Sequence, residues 1–135
     1  MDWKSKTTPF FLDLGLVSHE VAKNEVKLTA ARTEFCPHHV CHYLGMDIHD
    51  TTLISRNIPL QEGMVITIEP GIYVPKCVPA DSKYLALVPN YFRGIGVRVE
   101  DDILITRMPY SSRLSCEVLT DSVPKSVCEI ENLFH

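Results

Sequence analysis

The sequence predicts a mixed α+β fold, and three observations carry that prediction. Ser18 to Arg32 opens on a residue suited to cap a helix and continues with a loose apolar period. Met64–Glu69 alternates side chains like a strand and stops at Pro70-Gly71. Gly96–Glu100 and Ile103–Thr106 read as two more strand segments flanking Asp101-Asp102. At 135 residues the chain falls in the ~100–150 range usual for one domain, so a single domain is expected.

Taken in order, residues 1–13 show no clear period and are expected to be irregular, with Lys4, Lys6 and Pro9 among them. In the helix that follows, Ser18 is the N-cap, and Val21, Val26, Leu28 and Ala31 form the apolar face. Lys23-Asn24-Glu25 suits a turn equally well, and Pro37 ends the element. Gln61-Glu62-Gly63 is a turn into the first strand, and Ile72-Tyr73-Val74 is a second short strand after Pro70-Gly71. Residues 75–92 hold Pro75, Pro79 and Pro89 and are expected to form a loop. The last twenty residues carry only a weak helical pattern at Val127, Ile130 and Leu133.

Composition narrows the function classes. Hydrophobic residues make up 45% and charged residues 22%, with mean hydropathy +0.03, which excludes a disordered tail, a collagen or a coiled-coil rod. The net charge of −4 leaves no basic stripe for phosphates, so neither nucleic acid nor an anionic membrane is an expected partner. Apolar runs such as Met64–Ile68 are far shorter than the ~18 residues of a membrane span, so a soluble protein is expected. Five irregularly spaced cysteines argue for a reducing compartment. Pro9-Phe10-Phe11-Leu12 is too short for a signal peptide, and four acidic residues precede the first arginine, Arg32. The chain is therefore expected either to be cytosolic or to lack its targeting region.

Three segments concentrate metal-competent side chains. His38, His39, His42 and His49 place four of the six histidines within twelve positions. Any one of them suits a core or a surface, but the cluster points to a site, because neutral imidazoles bind first-row metals well. Alternation along the first strand puts Val65, Thr67 and Glu69 on one face. Glu69 is then either a solvated strand end or a ligand held on a rigid element. Arg98 and Glu100 share a face of Val97–Asp102, either as a surface pair or as an arginine steadying a metal-binding carboxylate. Competing motifs fail. Cys36-x-x-His39 has no second pair at zinc-finger spacing, neither HExxH nor Cys-x-x-Cys-His occurs, and Cys41 is too close in sequence to His42 for a reliable nucleophile–base pair.

The ordered motifs HHVCHYLGMDIHD, GMVITIEPGIY and FRGIGVRVEDDILIT resemble the second half of the catalytic domain of aminopeptidase P, in the pita-bread metallopeptidase superfamily. FCPHHV, HYLGMDIHDT and MVITIEPGIYVP are most similar to the mitochondrial Xaa-Pro aminopeptidase 3 branch, and the resemblance runs from about Leu14 to Thr106. It implies an α+β fold, the C-terminal half of a pita-bread fold, with an antiparallel sheet and flanking helices. It also implies two divalent ions, usually manganese, held by two aspartates, a histidine and two glutamates. By motif, His42 is the histidine ligand, Glu69 the first glutamate and Glu100 the bridging glutamate. His38 and His49 line the substrate site, Arg98 holds a carboxylate of the metal shell, and Glu69 also assists proton transfer. The implied substrate is a peptide with proline second, and the implied compartment is mitochondrial, with cytoplasmic the alternative.

The sequence also departs from the family. No D-x-G or S-D-x-T context supplies the two aspartates, and the separation of Asp2 from Asp13 is taken as coincidence. Cys41 stands where the family has Gly or Ser, adding bulk and a soft donor beside the histidine ligand, and Tyr84–Leu87 looks inserted. The expected organisation is a divergent segment 1–13, a partial catalytic domain 14–115 and a tail 116–135. The expected activity is that of a truncated Xaa-Pro aminopeptidase-like chain, inactive alone, binding at most one ion weakly and self-associating through an exposed sheet edge. The alternative is a non-catalytic binding module. Met64–Glu69, Gly96–Glu100 and Ile103–Thr106 are expected to share one sheet, with His42, Glu69 and Glu100 within ~10 Å of one another, near enough for ~2 Å metal bonds to join them.

Overall fold

The computed structural model of the chain describes residues 3–51, 53–55 and 57–135. Asp2 therefore lies outside the described residues. Instead of the single body expected from length, the chain forms two compact units. Residues up to His38 together with Gly71–Arg98 make the first, and His39–Pro70 together with Val99–His135 make the second. Each unit is assembled from two separate stretches of chain, which is why length and composition give no sign of the division.

The first unit opens with a helix, α1 (Trp3–Asp13), where irregular chain was expected. Pro9 lies inside it and weakens its local pattern. Tertiary packing overrides that weakness, because Phe11 sits edge-on against Phe35 with ring centroids 5.3 Å apart. Gly15 then adopts φ +67° and closes the helix, with Leu16 N–H donating to Phe11 O and Gly15 N–H to Leu12 O. The stretch read as one helix is two, α2 (His19–Ala22) and α3 (Glu25–Phe35). Ser18 caps the first as expected. Asn24 caps the second through its side-chain oxygen, and that cap divides the element. The buried face of α3 is Leu28, Ala31, Arg32 and Phe35, at helical spacing, while Val26, assigned to the apolar face, is 80% exposed. Strand β2 (Gly71–Val74) pairs antiparallel with β3 (Ile95–Arg98). The stretch expected to be a plain loop contains two short 3-10 turns, and its Leu85 and Val88 are core residues with Phe11, Leu28, Phe35 and Val74.

The second unit is a three-stranded antiparallel sheet in the order β1 (Val65–Ile68), β4 (Asp101–Arg107), β5 (Leu114–Val118). Gly96–Glu100 was expected in this sheet, but the strand breaks at Val99-Glu100 and β3 pairs with β2. β5, absent from the sequence reading, crosses the boundary placed between residues 115 and 116. Helix α4 (Val127–Glu131) follows, closed at its start by a reciprocal cap between Ser126 and Glu129. Lys125 Nζ meets Asp101 Oδ1 at 2.9 Å, and the Thr120 hydroxyl donates to the same oxygen, so this segment is tied to the start of β4. Ile66, Ile103 and Ile105 are the buried core, with Cys41, Tyr43 and Met64 packed against them. No helix among the described residues is long and apolar enough to cross a membrane.

Candidate metal centre

The site is built along both edges of β1. On one side, Val40–Leu44 lies antiparallel to it. Glu69 N–H donates to Val40 O, Thr67 N–H to His42 O and Leu44 N–H to Val65 O, and Tyr43 bridges Ile66. On the other side β4 pairs Thr67 with Asp102 and Ile68 with Asp101. One step further in that register sets Glu69 opposite Glu100, and Val99 N–H donates to Pro70 O just beyond. His42 and Glu100 are thereby brought to Glu69 from opposite sides. Their ligand atoms and that of Glu69 all lie within 4.8 Å of one another.

Burial decides between the two sequence readings of Glu69. It is not a solvated strand end: the residue is 6% exposed and His42 8%, while Glu100 is exposed. Carboxylates are seldom buried to this degree without a partner, and two of them facing each other across a ladder repel. The imidazole is oriented by its neighbours. Its Nδ1 lies 2.9 Å from Tyr43 O, which can only accept, so Nδ1 carries the hydrogen and Nε2 is left to take a proton or a cation. Nε2 is 3.2 Å from Glu69 Oε1. One imidazole and two carboxylates are donors that suit a first-row divalent ion, and the histidine is already oriented through its other nitrogen.

The remaining sequence candidates divide between the units. In the second, His49 is exposed and its ring stands edge-on to His42, with centroids 4.5 Å apart. In the first, His38 Nε2 lies 3.0 Å from the Tyr73 hydroxyl, and Arg98 Nε donates to that hydroxyl at 2.7 Å. Arg98 and Glu100 do not share a strand face, because the break at Val99-Glu100 assigns them to different units. The Cys41 thiol does not add a donor beside His42. Alternation turns it to the other face, where it packs with the isoleucine core.

Two residues of these networks escaped the sequence reading. Thr67, 1% exposed, accepts the His42 N–H and donates to Glu69 Oε1. The alternation already placed it on the Glu69 face, but a strand threonine is too common to single out. Tyr73 lies over Gly71 and Gly96, where a Cβ would come within 2.5 Å of the hydroxyl and 2.8 Å of the ring. Those two glycines leave room for the ring, and no sequence period reveals it.

The sequence profile of metallopeptidase family M24 matches residues 7–107, which include both units' candidate side chains. The chain belongs to metallopeptidase family M24. This M24 chain is 48% identical over 121 residues to Xaa-Pro aminopeptidase 3 of Homo sapiens, covering 90% of itself and 21% of that relative. It is 46% identical over 99 residues to the mitochondrial intermediate cleaving peptidase 55 of Arabidopsis thaliana, covering 73% of itself and 17% of that relative. Among solved structures it matches the Pseudomonas aeruginosa aminopeptidase PepP with a TM-score of 0.70 and 39% identity, over 93% of this chain and 26% of that one. Its α+β fold, antiparallel sheets with flanking helices, is thus part of the pita-bread fold of aminopeptidase P, as expected for the C-terminal half of that fold. The chain spans about a fifth of the length of the curated relatives it matches. Family membership implies a divalent metal, and the His42, Glu69 and Glu100 donors fit one.

Proposed function

We propose that the chain contributes a histidine and two glutamates to a divalent metal centre of the Xaa-Pro aminopeptidase kind. The observation that carries this is the convergence of His42, Glu69 and Glu100, two of them buried, on one point of the second unit. When bound, the ion supplies charge to polarise a scissile carbonyl and to make water a better nucleophile. The residues do the rest. Tyr43 O orients His42 through Nδ1. Glu69 adds negative charge and a proton-accepting oxygen, and His49, exposed and edge-on to His42, is the residue assigned to donate to substrate. Within the first unit, His38, Tyr73 and Arg98 form a separate hydrogen-bonded group. The substrate class is a peptide with proline second, the metal is manganese and the compartment is mitochondrial. Similarity to the human and Arabidopsis relatives supports these assignments, and oxygen-rich donors suit manganese.

Among the described residues the group has three donors, where the family resemblance implies five. We therefore assign the chain by itself at most one weakly held ion and no peptidase activity. Titration calorimetry of the purified chain with Mn2+ is the test, with an Xaa-Pro peptide assayed alongside. One weak site, lost in Glu69→Ala, is expected. Two tight equivalent sites, or binding unaltered by Glu69→Ala, would overturn the assignment, and Mn2+-dependent release of the N-terminal residue would overturn the inactivity.

A further inference from the structure

The structure assigns Thr67 as a positioning residue that couples the His42 backbone to the Glu69 carboxylate. In a regular antiparallel ladder the pair His42 and Thr67 would exchange two backbone hydrogen bonds. Here Thr67 N–H donates to His42 O at 2.9 Å, but His42 N–H turns to the Thr67 hydroxyl oxygen at 3.1 Å. That hydroxyl donates onward to Glu69 Oε1 at 3.2 Å, the same oxygen that faces His42 Nε2. One buried hydroxyl thus accepts from one proposed ligand residue and donates to the other. Thr67 is held in the ladder by its own N–H and Glu69 by its N–H to Val40 O, so the hydroxyl fixes which Glu69 oxygen faces the imidazole.

The chemistry explains why threonine suits the position. A donating N–H partner and an accepting carboxylate partner require a group that both takes and gives a hydrogen, which a hydroxyl does and an alkyl group cannot. A branched β-carbon also narrows the side chain's rotamers, so the donated hydrogen has a defined direction. This role rests on the metal-centre reading proposed for the chain.

Thr67→Val keeps the shape and removes the hydroxyl, whereas Thr67→Ser keeps the hydroxyl and removes the methyl group. A packing role would spare the first and hurt the second, and a positioning role does the opposite. Calorimetric titration of each purified 135-residue chain with Mn2+ should show about tenfold weaker binding in Thr67→Val, in line with the ~10–100-fold typical of groups supporting metal ligands. Thr67→Ser should stay within about threefold of the original. If Thr67→Val does not fold, Thr67→Cys replaces it, and its weak donor should give a loss between those two. Original binding that Thr67→Val (or Thr67→Cys) leaves unchanged overturns the Thr67 role alone, as does a larger loss in Thr67→Ser than in Thr67→Val. A chain that takes up no Mn2+ at all overturns the metal-centre reading, and the Thr67 role with it.

Discussion

Glu34 offers the firmest quantitative test of how the first unit is held. Its carboxylate, near the end of α3, accepts from the Ser82 hydroxyl at 2.6 Å and from the backbone N–H groups of Lys83, Tyr84 and Leu85 at 3.0 Å each. Burial alone would raise its pKa. The Ser82 hydrogen bond and then the three N–H groups outweigh that, and bring it from the ordinary 4.5 down to about 2. Those bonds pin the turn that carries Leu85 into the core beside Val88 and Phe35. Glu34→Gln removes the charge and turns an N–H2 group toward donors that need an acceptor.

The fall from 4.5 to about 2, at 1.36 kcal/mol for each pH unit, sets an upper limit of about 3.4 kcal/mol. Solvent reaches part of this carboxylate, so we expect a loss of about 2 kcal/mol for Glu34→Gln at pH 7. The pKa is lowered in the folded chain, so the contribution is complete above pH 4.5 and lost as pH falls toward 2. Urea unfolding at a series of pH values should therefore show the two chains converging across that window. Hydrogen exchange at Lys83, Tyr84 and Leu85 should quicken in the variant at pH 7. A constant gap between the two chains at every pH, or a difference below about 0.5 kcal/mol at pH 7, the scale of an ordinary surface change, would refute the reasoning.

Two further outcomes follow from the second unit. β5 ends its sheet with all five residues exposed, so sedimentation of the chain should show concentration-dependent association that Val118→Lys reduces, and a monomer at all concentrations would overturn this. Mn2+ at a hundred times its dissociation constant should stabilise the folded form by about 2.7 kcal/mol. The gain would be read as slower amide exchange in Val65–Ile68 and Asp101–Arg107, and unchanged exchange there would refute it.

What the sequence disclosed follows from how local each signal is. The strand Val65–Ile68 was legible because alternation and Pro70-Gly71 act within six residues, and Ser18 because a cap is a single side chain. Asn24 was half legible, since Lys23-Asn24-Glu25 reads as a turn or a helix until tertiary contacts choose. The break at Val99-Glu100 was invisible, because Val97-Arg98-Val99-Glu100 alternates without interruption while its pairing partner changes from β2 to β1. β5 was missed because Ser115, Cys116 and Glu117 dilute its apolar content and the sheet edge asks little of them. Motif order singled out His42, Glu69 and Glu100, which do converge, but alternation gives a face and not its burial. Only the paired segments on either side of β1 show that the Glu69 face is closed.

The register of β1 serves the core and the candidate site together, since Ile66 is buried on one face and Thr67 and Glu69 on the other. Ile68 is 44% exposed, while Thr67 and Glu69 beside it are buried. A slip of one residue would reverse every side chain, turning Ile66 out of the core and the threonine and carboxylate toward it. Hydrophobic burial opposes that slip, because Ile66 belongs with Ile103 and Ile105 to the second unit's buried core, and a carboxylate turned among them costs free energy until it is paired. Two ladders hold the strand against it. The Val40–Leu44 bonds fix one edge, and the pairing of Val65 with Leu104 through Ile68 with Asp101 fixes the other. The same bonds that resist the slip bring His42 and Glu100 to Glu69. The cost of this register lies in the enclosed Glu69 carboxylate, and a cation bound at the proposed centre would offset it by neutralising that charge.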